Sequence, residues 1–492
     1  MRRRLFIILN IICVLSCNAQ IDEARKAYED FKKKAQQEYN DFRKQANEQY
    51  AEFLKKAWTE YKTLPAIPRP KDESVPPVVV PEEDRNKPIK DNPVPIDDVV
   101  TPPTPTPQPV PISPIKEDET AKEKVVAFTY FGTNIKIRIK ESSFFSLATF
   151  DNEKVAELWM MLSEEGMMNN TIRDCLYARI NMDLCDWAYL NMIYEFSKSV
   201  YGEGNEATLL TAYIYCQSGY KMRIAVMSGK LLLMYASKHY IFDTPSINID
   251  GTCFFPFNCK EEGSIYLSNI AFPKEQSLSL FVQHGQKFSF NPSKTRTLKA
   301  KHFTDMEVNV QVNNNLIDFF NSYPTSVIDD DIMTKWALYA NTPLDENVKK
   351  TLYSALRGKI NGLGQKQAAN KLINWVQTAF VYEYDDKVWG HDRAFFAEES
   401  LYYPYCDCED RSILFSRLIR DLLGLDVVLV FYPGHLATAV HFTEDVKGDY
   451  IIVDGKKYVI CDPTYIGAPV GYTMEGMDNA TCKVILLDNS SR

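Results

Sequence analysis

Between residues 408 and 424 apolar side chains recur at three- and four-residue spacing. Ile413, Leu414, Leu418, Ile419, Leu422 and Leu423 stripe one side of a predicted helix, and Gly424 is a natural stop for it. Polar residues fill the remaining positions, with Glu409 and Asp410 in the first turn, at the positive end of the helix dipole. The pattern then shifts to short β-rich runs. Val427 to Tyr432 and Leu436 to Phe442 predict two strands, with Pro433-Gly434 as the turn between them. Tyr458-Val459-Ile460 predicts a further strand that must end at Pro463. Cys408 thus heads the helix, His435 opens a strand, and Asp462 follows one.

The N-terminal pattern is different. Ala24, Ala35, Ala46 and Ala57 are in phase, as are Tyr28, Tyr39, Tyr50 and Tyr61, and Phe31, Phe42 and Phe53. A period of eleven residues is three helical turns, so residues 20–63 read as one long helix with a nearly straight aromatic stripe. Such a stripe docks on its own protein, self-associates, or contacts a cell-envelope partner. Residues 64–118 hold sixteen of the 26 prolines and read as an extended spacer. At about 3.1 Å per residue it could reach on the order of 170 Å.

Residues 1–19 read as a signal peptide: Arg2, Arg3 and Arg4, then an apolar run from Leu5 to Leu15, then Cys17-Asn18-Ala19 before the cut. Val14-Leu15-Ser16-Cys17 also fits a lipoprotein box. The expected location is therefore the periplasm, the cell surface or the medium, with lipid attachment through Cys17 as the alternative. Loss of the three arginines takes the formal net charge from −9 to −12, which argues against a nucleic-acid partner. Export permits disulfides among the nine cysteines that remain, and Cys253 and Cys259 are the expected pair.

Within the globular part, residues 119–250 carry a weaker copy of the C-terminal pattern. Gly219 follows Glu203 at the interval by which Gly424 follows Cys408, and Gly229-Lys230 stands where Gly434-His435 stands. The copy therefore places Glu203, Lys230 and Asp243 at the positions of Cys408, His435 and Asp462, a set that cannot perform thiol catalysis. Residues 251–330 are β-rich, through Ser264–Leu267, Leu278–Val282 and Met306–Val312, and predict a small β module. Residues 331–492 form the last domain. Its helix with Leu372, Ile373, Trp375, Val376 and Phe380 is expected beside the Cys408 helix.

The chemistry follows from Cys408 at a helix N-terminus. Backbone N–H groups point outward there, the dipole favours a thiolate, and the same groups can hold an oxyanion. His435 and His441 share a strand face about 20 Å apart, so only one can serve Cys408. A zinc site of Cys406, Cys408, His435 and Cys461 competes, although Cys-x-Cys is not the usual ligand spacing. Cys406 could also pair with Cys461 or Cys482. No metal or cofactor is expected.

At Cys408-Glu409-Asp410-Arg411, Gly434-His435 and Cys461-Asp462-Pro463 the chain resembles the transglutaminase-like branch of the papain-like cysteine enzymes. The resemblance implies an α+β, papain/transglutaminase-like C-terminal domain, with 119–250 as a degenerate second copy. It also implies Cys408 as nucleophile, His435 (which follows Gly434) as base, and Asp462 as the group that orients the imidazole. A protein or peptide substrate and hydrolysis of a peptide or amide bond are then expected, with cross-linking to an amine as the variant. Trp389 and Gln377 are the candidate side-chain oxyanion donors. The reading from another class is a non-enzymatic surface protein that binds or scaffolds through papain-like modules.

Overall fold

The computed structural model describes residues 37–488 with 30, 33 and 34, apart from 72–73, 83–90, 103, 106, 112–114, 119–121 and 329–330. The signal segment, Cys17, and Ala24, Tyr28, Phe31 and Ala35 of the repeat lie outside the described residues. No helix among the described residues is long and apolar enough to cross a membrane.

The fold is α+β, built on two curled sheets. The N-terminal and proline-rich regions supply β1 (Thr59–Lys62), β2 (Asn92–Pro95) and β3 (Val99–Val100). The upstream half adds helix α1 (Asn205–Gln217), the hairpin β4 (Met222–Met227) and β5 (Lys230–Ser237), then β6 (Ile247–Ile249), β7 (Thr252–Pro256) and β8 (Ser264–Leu267). The C-terminal half adds helix α2 (Cys408–Leu423), β9 (Asp426–Tyr432), β10 (His435–His441), β11 (Asp449–Val453), β12 (Lys456–Cys461) and β13 (Lys483–Leu486).

The upstream strand order is β1-β8-β4-β5-β7-β6, and the C-terminal order is β2-β11-β12-β10-β9-β13-β3. Without the strands from the N-terminal region, the two orders coincide. Each half runs helix, hairpin, second hairpin, single strand, and all four neighbouring pairs in each are antiparallel. The halves are therefore an internal structural repeat.

Strands β9 and β10 are buried almost throughout because both faces are covered. Val427 and Leu429 join the main core beneath α2, whereas Val428, Val430 and Tyr432 face the interior of the curled sheet. A nearly continuous apolar run is what burial on both faces requires. Residues 92–100 cross between the two sheet edges: β2 pairs with β11, β3 pairs with β13, and Ile96 is buried with the interior cluster. Much of the proline-rich region is therefore a docked element rather than a free spacer. Parallel pairing along strand edges tolerates prolines, which need donate no hydrogen bond there.

Two other expectations change. The β-rich stretch after residue 250 is not a separate module: β7 and β8 complete the upstream sheet, and Leu278 makes only an isolated bridge to Ser237. Glu307–Val310 pairs with Arg296–Lys299 in a two-stranded ribbon. Alternation marked these strands, but a strand's partner is a non-local choice that alternation does not encode. The N-terminal helix ends near residue 54, and Tyr61 lies in β1 instead. That helix docks on its own protein through Ala46, Asn47, Tyr50, Ala51 and Leu54, with the Tyr50 and Trp159 rings 4.5 Å apart. Tyr39, Phe42 and Phe53 of the aromatic stripe stay exposed. Leu372, Ile373, Trp375 and Val376 are buried as expected, on a helix (Gln365–Ala379) that packs against α2.

The short helix Ala397–Tyr402, also packed on α2, buries two acids. Burial raises Glu398 to about 8 and Glu399 to about 7, from an ordinary 4.5. The folded chain therefore holds protons that the unfolded chain has released. The stability these acids confer is complete below pH 4.5 and is lost as pH rises through 7 to 8, at up to about 1.4 kcal/mol per pH unit for each group. Glu398→Gln keeps an acceptor for the Asp345 N–H but cannot titrate. Urea unfolding of that variant is expected to show a shallower fall in stability between pH 5 and 8 than the parent chain.

Candidate active site

The start of α2 is fixed by reciprocal caps. The Asp407 carboxylate accepts from Asp410 N–H, and the Asp410 carboxylate accepts from Asp407 N–H at 3.3 Å and from Phe395 N–H at 2.8 Å. Gly424 adopts φ 65°, closing the helix with the left-handed cap that the sequence pattern requires. Ser412 Oγ donates to Leu436 O at 2.8 Å and ties the helix to β10. Cys408 therefore faces the first residues of that strand, where the Leu436 N–H acts on its sulfur.

His435 is the first residue of β10, paired with Tyr432 across a turn in which Gly434 has φ 73°. Its Nε2 lies 2.8 Å from Asp462 Oδ2, and both side chains are buried. The other oxygen, Asp462 Oδ1, accepts from Thr464 N–H at 2.8 Å and Tyr465 N–H at 3.2 Å. A carboxylate accepts at both oxygens, so Nε2 carries the ring proton and Nδ1 presents its lone pair. That Nδ1 is buried and has no hydrogen-bond partner among the described residues. His441 lies at the other end of β10, with Nδ1 donating to Lys457 O at 2.9 Å. His435 and Asp462 are thus brought together, while no hydrogen bond joins Cys408 Sγ to the His435 ring among the described residues.

The thiol itself departs from expectation. Burial pushes the Cys408 thiol well above its ordinary value; Asp407 and Glu409 push the same way, and the contacts from Leu436 and Ser74 offset this only in part. Its proton points to Glu409 Oε2 at 3.6 Å. Burial first, and then the two acids of the helix N-terminus, thus hold the thiol in its protonated form. In this closed geometry Cys408 is a neutral thiol, 2% exposed.

Neither proposed oxyanion side chain faces the sulfur. Gln377 Nε2 lies 2.8 to 3.0 Å from the carbonyls of Asp462, Tyr465 and Ala468, and its Oε1 accepts from Gly467 N–H. It positions the loop that carries Asp462. Trp389 packs on Arg393, 4.1 Å from its ring, and against Phe395 and Tyr403. Tyr382 is a half-buried tyrosine near Cys408 that sequence reasoning missed. Burial and then the nearby Cys408 raise its hydroxyl far above the ordinary value, so it stays protonated; it donates to Val75 O at 3.3 Å, and Arg411 covers its ring. Nothing local in the sequence marks it, since residues 381–382 reach the site only by pairing with 405–406.

All nine described cysteines are free thiols. Cys253 lies within β7 and Cys259 beyond its end, and the expected disulfide between them is not formed. The zinc set does not assemble: His435 is committed to Asp462, and Cys461 Sγ turns to Val459 O of its own strand. Cys406 is buried with its sulfur toward Val381 O, away from the His435–Asp462 pair. Cys406→Ser is therefore expected to keep turnover within a few-fold of the parent, measured on the same substrate.

The upstream repeat reproduces the scaffold but not the groups. Lys230 opens β5 as His435 opens β10, paired with Met227 across a turn holding Gly229. Helix α1 begins at Asn205, so Glu203 stands ahead of it, exposed and 4.0 Å from Lys198. Asn205 Oδ1 accepts from Leu231 N–H at 2.8 Å, the contact that Cys408 Sγ makes with Leu436 N–H. Asn205, rather than Glu203, takes the place of Cys408. Asp243 is also displaced: it bonds Arg69, while strand register puts Asn258 opposite the position of Asp462. Glu203, Asn205, Lys230 and Asn258 line a cavity of about 650 Å³. Compared with protein-family models, curated proteins and solved structures, the chain matches none.

Proposed function

We propose that the C-terminal half is a transglutaminase-like cysteine domain that transfers acyl groups through Cys408, His435 and Asp462, in an exported protein. The observation that carries this reading is the buried His435–Asp462 pair at 2.8 Å, with the unpartnered Nδ1 of His435 at the strand end that meets Cys408. Such a pair fixes the tautomer a general base needs. His435 Nδ1 takes the thiol proton, and Cys408 Sγ forms a bond to the carbonyl carbon of a peptide amide as the carbonyl π pair moves to oxygen. In this reading the Leu436 N–H and, once it is released from Val75 O, the Tyr382 hydroxyl hold that oxygen. Collapse of the adduct breaks the C–N bond, and the His435 proton leaves with the amine. Water then resolves the thioester, giving a peptidase or amidase; a second amine would give a cross-link.

The test is incubation with a peptide amide followed by intact mass. A thioester adduct on the Cys408 peptide, with release of amine, supports the reading. Absence of both after the thiol has been shown to alkylate would remove it. The upstream half, with its open cavity and with Asn205 where the C-terminal half has Cys408, supports a binding role for that unit alone.

A further inference from the structure

A segment of the proline-rich region lies across the closed thiol. Val75 N–H donates to Gly434 O at 2.8 Å, beside His435, and Val75 O accepts from Tyr382 at 3.3 Å. Ser74 Oγ is 3.6 Å from Cys408 Sγ. Further along, Val80 N–H donates to Ile466 O at 3.0 Å and Ile466 N–H donates to Val78 O at 2.8 Å, a parallel pairing on the loop after Asp462. Val80 is buried among Tyr465, Ala468 and Met474. The segment therefore contacts the loops carrying both the base and its orienting acid.

We propose that Ser74–Val80 is an internal ligand of the Cys408 cleft, and that its seat is the groove for an extended, apolar peptide substrate. The proposal rests on the acyl-transfer reading for the word substrate, but not for the occupancy of the cleft. Backbone pairing with Gly434, Tyr382 and Ile466 selects an extended chain of any sequence, and the Tyr465–Ala468–Met474 pocket selects a β-branched or other compact apolar side chain. Pro76 and Pro77 suit the same groove because they hold an extended backbone and have no N–H to satisfy. The group set against the sulfur is the Ser74 hydroxyl, which is not an electrophile, so the segment blocks the thiol without being attacked. It is held on both sides. Upstream, β1 pairs with β8, and Arg69 bridges Asp243 at 2.7 Å and His391 at 2.7 Å; downstream, β2 and β3 join the C-terminal sheet. This tethering keeps the segment's effective concentration high.

The test uses the full chain and reads the rate of Cys408 alkylation by iodoacetamide, mapped by peptide mass. Val75→Pro removes the donor to Gly434 while keeping extended geometry, and Val80→Asp removes the buried anchor. Together they are expected to speed alkylation by about tenfold or more, because a lost hydrogen bond and a lost apolar anchor both favour opening. A rate within twofold of the parent overturns the proposal. Buried Cys175 and Cys216 serve as internal reporters of unfolding. A second arm avoids any folding defect: a site-specific protease sequence inserted after Pro70 is cut only after the chain has folded. Faster alkylation on cutting, reversed by an added capped peptide of sequence 74–80 but not by its scrambled form, supports the groove. Unchanged alkylation, or equal protection by the scrambled peptide, overturns it. An opened thiol that alkylates but never forms a thioester leaves the groove standing and removes the acyl-transfer reading instead.

Discussion

Asp462→Asn is expected to lower kcat/KM by roughly 10⁴-fold while the fold stays intact. The reason is the hydrogen-bond direction at the imidazole. Asp462 Oδ1 is held by the N–H groups of Thr464 and Tyr465, so an asparagine must keep its oxygen there and turn its NH₂ to His435. Nε2 then becomes an acceptor, the ring proton moves to Nδ1, and the atom that should take the thiol proton already carries one. Cys408→Ala is expected to remove turnover and the thioester altogether. Both variants are to be compared with the parent on one fluorogenic peptide amide, with intact mass to detect the adduct. Asp462→Asn retaining more than a tenth of parent kcat/KM would show that His435 is not the base.

Lys335→Met is expected to cost about 3–5 kcal/mol of stability. Lys335 is buried, bonds the buried Asp392, and has Glu409 close by. Desolvation alone would pull the lysine down, but the two carboxylates more than offset it and leave it raised, hence charged. Removing that charge strands Asp392 beside Asp385 and Glu409, which lie close enough to share a cation. The double variant Lys335→Met with Asp392→Leu is expected to recover part of the loss, since it removes the stranded Asp392 carboxylate while the buried Asp385 and Glu409 remain. Urea unfolding of the three chains at one pH measures this coupling. Exposed pairs such as Lys44–Glu48, 4.0 Å apart, should change stability by less than about 1 kcal/mol when broken.

How much was legible varies from element to element. The Cys408 helix was, from its cap acids to Gly424, because a stripe at helical spacing and a left-handed stop are local properties. The hairpin that opens at Gly434-His435 was too, since the turn fixes its register. So was the place of Asp462, one residue before a proline that must end pairing. The repeat was legible as two matched intervals, because helix length plus turn length sets the same local geometry in both halves.

Other features depended on what the chain meets far along its length. Asn205 replaced Glu203 because α1 starts two residues later than spacing alone implied, and Asn258 replaced Asp243 because β5 pairs with β7 rather than with the strand next in sequence. Gln377 is a latch because three distant carbonyls converge on it. The proline-rich region read as a free spacer because prolines carry no periodicity; open strand edges and the cleft beside Cys408 gave it a docked path. The state of the thiol is likewise tertiary. By itself the sequence determined the order Cys408, His435 and Asp462 and the elements that present them. Only the fold decided that Cys408 is buried, flanked by acids and covered by residues 74–80, since burial and charge at one atom sum contributions from segments that local pattern cannot place together.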